Sequence, residues 1–194
     1  KLAAKSPKLV EELVPGKLSL GVVTRTLQNL LQESVPIRDM RTVVEALTEV
    51  SSRTQDPDQL AQLVRPKLGR MIVQGLLDNR DTLMVLTLDP HLEQLLHNVL
   101  QQNNGLSGMV LEPSLAESLF AALRESARNT EEQGFPAVLV VSPAIRPWMS
   151  KAVRFRVSEL TVMSYSEIPD DQPVKVINTV QAEPRHNNPS VTKA

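Results

Sequence analysis

Apolar positions recur at intervals of three and four from the start of the chain to about residue 80. In LSLGVVTRTLQNLLQESV, Leu20, Val23, Leu27, Leu30 and Leu31 share one helical face, with Ser19 placed to cap it. Val35–Pro36 ends that helix, because a residue before proline is pushed out of the helical region. From Ile37 the set Met40, Val43, Val44, Leu47 and Val50 has helical period again. SSRTQDPDQ is a connector, and Asp56–Pro57 opens a third helix with Asp as cap and Pro in the first turn. That helix carries Leu60, Leu63, Val64, Leu68, Met71, Ile72, Leu76 and Leu77. Pro66 lies inside it, which predicts a kink or split near Val64.

The texture changes at Asn79. TLMVLTL is a short continuous apolar run bounded by charge and by Asp89–Pro90, and it predicts a buried strand. A helix follows from His91 to about Gln101, then the turn NNGLSG and a short strand at MVL. Glu112–Pro113 opens a long helix through Leu115, Leu119, Phe120, Leu123 and Ala127, which ends before Gly134. AVLVV is the clearest strand, SPAIRPWMSKAVRF predicts a helix capped by Ser142 with Pro143 at its first position, TVMSY is a strand, and VKVINTV is an edge strand. Strands alternating with helices imply a largely parallel sheet. The predicted fold is α+β: an all-helical subdomain over 19–80, then an α/β subdomain over 81–180 with a small, mainly parallel sheet. Residues 1–18 read as the end of a preceding segment, since KLAAKSPK starts abruptly without an initiator Met. Residues 181–194 are polar, without apolar period, and predict a disordered tail.

Composition narrows the functional classes. The 194 residues hold 21 Lys and Arg against 22 acids, a net charge of −1, with no basic stripe, which argues against nucleic-acid binding. Cysteine is absent, so disulfides and thiolate metal sites are excluded. No apolar run approaches the roughly 18 residues that span a bilayer. Aromatics are 3%, low for an aromatic-lined ligand pocket.

Motifs with chemistry are scarce. His91 and His97 lie about 600° apart around a helix and face different ways, and His186 sits in the tail. HExxH, a P-loop and a glycine-rich fingerprint are all missing, so neither a metal nor a cofactor is expected. Ser142 follows a strand but lacks the G-x-S-x-G context of a strained nucleophile. Asp170–Asp171 reads as a solvated turn. The arginines stand out. Arg38, Asp39 and Arg41 open the second helix, where the helix dipole welcomes the acid and not the bases. Arg38 and Arg41 share a face, with Arg65 and Arg70 in a later helix as possible neighbours. Either these are solvated charges or they contact another protein, a role for which the planar guanidinium is suited. The competing class is a small α/β enzyme using the cleft at the strand C-termini, near Asp89, Ser142 and Ser164.

Five segments carry a resemblance: LVEELVPGKLSLGVVTRTLQNLLQESVPIRDMRTVVEAL, LTLDPHLEQLL, LEPSLAESL, VLVVSPAIRPWM and TVMSYSEIP. Together, from Lys8 to Val180, they resemble the cytoplasmic C-terminal part of the FlhA/InvA/LcrD family, the large export-gate subunits of type III secretion systems. SYSEIPDDQPVKVINTV is most similar to the flagellar branch. The resemblance implies a membrane domain and linker upstream, and a cytoplasmic region of four subdomains of which this chain matches the last two. It implies a nonameric ring on the cytoplasmic face of the bacterial inner membrane. The implied partners are the ATPase complex, export substrates and their chaperones, with no nucleic acid and no enzymatic chemistry. The family's chaperone-docking dimple lies between the first two subdomains and has no counterpart here. VPIRDMRT falls in the ring-forming subdomain, so Arg38, Asp39 and Arg41 are expected inter-subunit contacts. Pro66 and the residues after Val180 depart from the family pattern.

Overall fold

The computed structural model describes residues 7–77, 79–102 and 111–182. The expected NNGLSG turn, most of the MVL strand, His186 and nearly all of the tail lie outside the described residues. Residue contacts divide the chain into two units, 1–83 with 164–174 and 84–163 with 175–194.

The first unit is helical. Helices α1 (Pro7–Leu13), α2 (Leu20–Gln32), α3 (Met40–Val50) and α4 (Pro57–Val64) are followed by a 3₁₀ turn at Arg65–Leu68 and by α5 (Gly69–Leu76). Pro66 splits the predicted third helix after Val64, as its missing N–H requires. The caps read from sequence form: Ser19 accepts from Val22 N, Asp39 from Thr42 N and Asp56 from Asp58 N. α2 packs along α4, and α3 along α1 and α4. Leu30, Val43, Leu47, Leu60 and Val64 are fully buried between them. Leu13 and Leu18 are also buried.

α2 departs from its predicted face. Its buried residues are Val23, Thr26 and Leu30, while Leu20 is 68% and Leu31 53% exposed. At about 100° per residue, Leu20 and Leu31 project within some 20° of each other and about 60–140° from the buried residues. The apolar arc is wider than the neighbouring helices cover.

The second unit carries a four-stranded sheet in the order β3-β2-β1-β4, from β1 (Leu83–Leu88), β2 (Val138–Val141), β3 (Thr161–Ser164) and β4 (Val174–Val180). β1 and β2 are parallel, with Leu86 opposite Leu139. The fold is therefore α+β with a small parallel sheet, and VKVINTV is an edge strand as expected. Helices α6 (Pro90–Gln102), α7 (Pro113–Glu132) and α8 (Arg146–Val153) connect the strands. β2 is buried along its whole length, and Leu96, Leu119, Leu123, Ile145 and Met149 share its core. Glu112 caps α7 by accepting from Ser114 N. Ser142 does not cap α8. Residues 143–145 form a turn in which Ile145 N and Arg146 N donate to Ser142 O, and Pro147 rather than Pro143 stands in the first helical turn.

Candidate functional site

The arginine-bearing segment begins where α2 ends. Ser34 takes a left-handed conformation (φ 58°), and Val35 N reaches back to Leu30 O at 3.0 Å. Val35 is buried, which anchors the link before Pro36 and leaves Arg38 and Asp39 on the surface. Asp39 caps α3 through both oxygens, accepting from Thr42 N at 3.2 Å and from the Thr42 hydroxyl at 2.6 Å. The Thr42 hydroxyl, and then its backbone N–H, hold the Asp39 carboxyl below its ordinary value. Arg41 donates to Glu45 one turn on, at 2.8 Å, and that partner raises the guanidinium pKa further. The dipole at this helix start is thus answered locally: Asp39 meets the free N–H groups, and Glu45 balances Arg41. Arg38 is exposed and makes no ion pair among the described residues.

Arg65 does not join this exposed set. It is 1% exposed, and its Nε and Nη2 grip Glu167 at 3.1 and 2.7 Å while Nη1 meets Glu33 at 2.9 Å. The Ser164 hydroxyl donates to the same Glu167 at 3.1 Å. Arg70 pairs with Asp171 at 3.0 Å, so Asp171 is an ion-pair partner rather than a bare solvated carboxylate. A Cβ at Gly69 would run into the Glu167 carbonyl, so only glycine allows the 3₁₀ turn to approach so closely. Arg65, Gly69 and Arg70 together fasten residues 164–174 to the helical unit. Periodicity gives no sign of this, since the bidentate partners stand 102 residues apart.

Each of the three residues expected at a cleft by the strand C-termini makes hydrogen bonds within its own unit. Asp89 caps α6, accepting from His91 N at 2.9 Å. Ser164 bonds Ser166 and Glu167 in the helical unit. Ser142 meets His97 Nε2 at 2.8 Å, and its N–H donates to Glu93 at 2.7 Å, which ties the β2–α8 turn to α6. The sequence reading of His97 went no further than its facing away from His91. No group of three His, Asp or Glu among the described residues is placed to hold a metal ion.

The residues missed by sequence reasoning are Leu20 and Leu31, exposed on α2 in the same unit as Arg38. Exposed large apolar side chains and an arginine without an ion pair are features found at protein–protein contacts. The chain belongs to the FHIPEP family, whose model matches residues 1–173. It is 41% identical over 180 residues to the flagellar biosynthesis protein FlhA of Escherichia coli K12, covering 93% of this chain and 25% of that protein. The chain thus spans about a quarter of the length of the curated relatives it matches. Among solved structures it superposes on the Chlamydia pneumoniae CdsV protein with a TM-score of 0.82 and 25% identity, over 93% of this chain and 51% of that one. CdsV has also been solved in complex with CdsO. The nonameric EPEC SctV-C gives a TM-score of 0.79 at 27% identity, over 92% of this chain and 53% of that one.

Proposed function

We propose that this chain is part of the cytoplasmic domain of a flagellar type III export gate. It builds a homo-oligomeric ring, nonameric in the whole protein, and helps receive export substrates and chaperone–substrate complexes from the ATPase complex. Its place is the cytoplasmic face of the bacterial inner membrane, reached through a membrane domain elsewhere in the whole protein. No helix among the described residues is long and apolar enough to cross a membrane.

The observation that carries the ring reading is the helical unit's surface, where Arg38, Leu20 and Leu31 stand exposed. Arg38, Asp39 and Arg41 are the inter-subunit contacts in this reading, and the nonameric assembly of SctV-C supports it. Ring contacts are weak one at a time and gain strength from tethering, so the isolated chain is monomeric at micromolar concentration. In this reading the function is non-enzymatic, which is supported by relatives described as flagellar biosynthesis proteins.

The test is Arg38→Glu with Arg41→Glu in the full-length, membrane-tethered protein. Reversed charge at an interface costs several kcal/mol and is repeated at every contact of a cyclic ring. Export and motility fail while protein levels stay normal. Unimpaired export from a stably folded double variant would rule these residues out as ring contacts.

A further inference from the structure

In the second unit, α7 and the turn after α8 present an exposed surface. Phe155 there is 88% exposed, the most exposed large hydrophobic residue among those described. It stands between Arg154 and Arg156. The Arg156 guanidinium lies 4.7 Å from the centre of the Phe120 ring on α7 and donates to Ala152 O at 3.0 Å. Arg124, one turn beyond Phe120, donates to Arg156 O at 3.4 Å. An open depression of about 380 Å³ is lined by Ala116, Glu117, Phe120, Ala121, Arg124 and Arg156.

The charge here is positive for a local reason. The chain as a whole is slightly acidic, yet Arg124 and Arg156 are held by backbone carbonyls and an aromatic ring, and neither has an ion-pair partner among the described residues. A guanidinium stacked on a ring is fixed in orientation and keeps its remaining donors available to a carboxylate. Glu117 lies two helical turns before Arg124, about 10 Å along α7, so the depression runs from an acidic end to a basic one. Exposed Phe beside oriented Arg is the composition of an interface centre.

We propose that this surface docks an acidic segment of a partner protein that carries an apolar anchor. The anchor packs beside Phe120 and Phe155, carboxylates meet Arg124 and Arg156, and Glu117 sets the segment's direction. Residues 183–194 of the chain itself do not complement it, since they hold Glu183 against Arg185 and Lys193. A nucleic acid needs a longer basic track than these arginines supply, and an anionic membrane needs a larger basic cluster. Docking here involves a single subunit and does not depend on the ring.

The test is a random peptide library displayed on phage and panned against the purified chain, with an enriched peptide then measured by fluorescence anisotropy. The peptides should be net negative and carry an aromatic or large aliphatic residue. Arg124→Glu and Phe155→Ser should each weaken binding by about tenfold or more, or 1.4 kcal/mol, with unchanged melting temperature, and added salt should weaken it too. Arg156→Glu is a third variant, read only where its melting curve is intact. Three results would each overturn the proposal. These are no enrichment of acidic peptides, binding indifferent to both Arg124→Glu and Phe155→Ser, and tighter binding to oligothymidine or to phosphatidylserine vesicles than to the selected peptide.

Discussion

The two units each bury an arginine, but in different company. The helical unit buries Arg65 with two carboxylates and leaves Leu20 and Leu31 in solvent. The α/β unit buries an apolar cluster around β2 and one arginine, Arg146, which donates to the Val162 carbonyl at 3.4 Å, and it leaves Arg124, Arg156 and Phe155 exposed. Burial of charge seldom adds net stability over an apolar packing of the same shape, but it makes geometry specific, because each group needs its partners. The Arg65 cluster therefore determines where residues 164–174 attach. The large apolar cluster of the α/β unit supplies stability by area and shape.

The sharpest way to break this contrast is Arg65→Ala. It strands Glu33 and Glu167 in a buried site and is expected to cost about 3–5 kcal/mol. Replacing Arg65, Glu33 and Glu167 together by apolar residues of similar volume should recover most of that loss. Chemical denaturation of the chain measures both, and a single variant within 1 kcal/mol of wild type (RT-scale changes of about this size are resolvable) would show that water reaches the cluster. The counterpart in the α/β unit is Leu119→Ala, which removes apolar contacts only and should cost about 2–5 kcal/mol, with no rescue by second-site polar changes.

Smaller effects sharpen the comparison at the helix ends. α2 and α7 both close with a left-handed residue, Ser34 (φ 58°) in one unit and Gly134 (φ 79°) in the other. Ser34→Gly should stabilise by about 1 kcal/mol and Gly134→Ala destabilise by about the same, both read as melting-temperature shifts. Smallest is the acid response of the two carboxylate caps. Asp39 and Glu112 each titrate below their ordinary values of 3.8 and 4.5, the first through Thr42 and the second through Ser114. A depressed folded-state pKa gives stability that is present above the ordinary value and is lost as pH falls through the folded one. Stability from these caps should be flat near neutrality and decline as pH falls below about 5. Asp39→Asn keeps the acceptor at the cap and should flatten the Asp39 share of that decline.

Local structure was largely legible. The Asp56–Pro57 and Glu112–Pro113 caps, the break at Pro66 and the strands TLMVLTL and AVLVV follow from backbone chemistry that acts within a few residues. The turn at Pro143 was not, because SPAIRP offers two prolines suited to a first helical turn and only packing selects Pro147. Long-range pairings were not legible either. Arg65 reads as a surface base in LVRPK, and nothing near it announces Glu167. The return of residues 164–174 to the helical unit depends on that pairing, so a reading by contiguous segments assigns them to 81–180 instead. Leu20 and Leu31 were misassigned for a related reason: periodicity marks an apolar arc but not how much of it the neighbouring helices cover.

The proposed contact surface of the helical unit is tested most directly by photo-crosslinking in the full-length, membrane-tethered protein. A benzoylphenylalanine side chain placed at Leu31 or at Arg38 reacts with whatever lies against it, and at Gln133 it samples an exposed site of the other unit. A head-to-tail ring brings different surfaces together at each interface, so the reagent must capture any neighbour rather than its own equivalent. Irradiation should give an adduct between two copies of the protein from Leu31 and Arg38 and none from Gln133. Absence of the two-copy adduct at both Leu31 and Arg38, with the protein assembled and exporting, would contradict the placement of the ring contact on this surface.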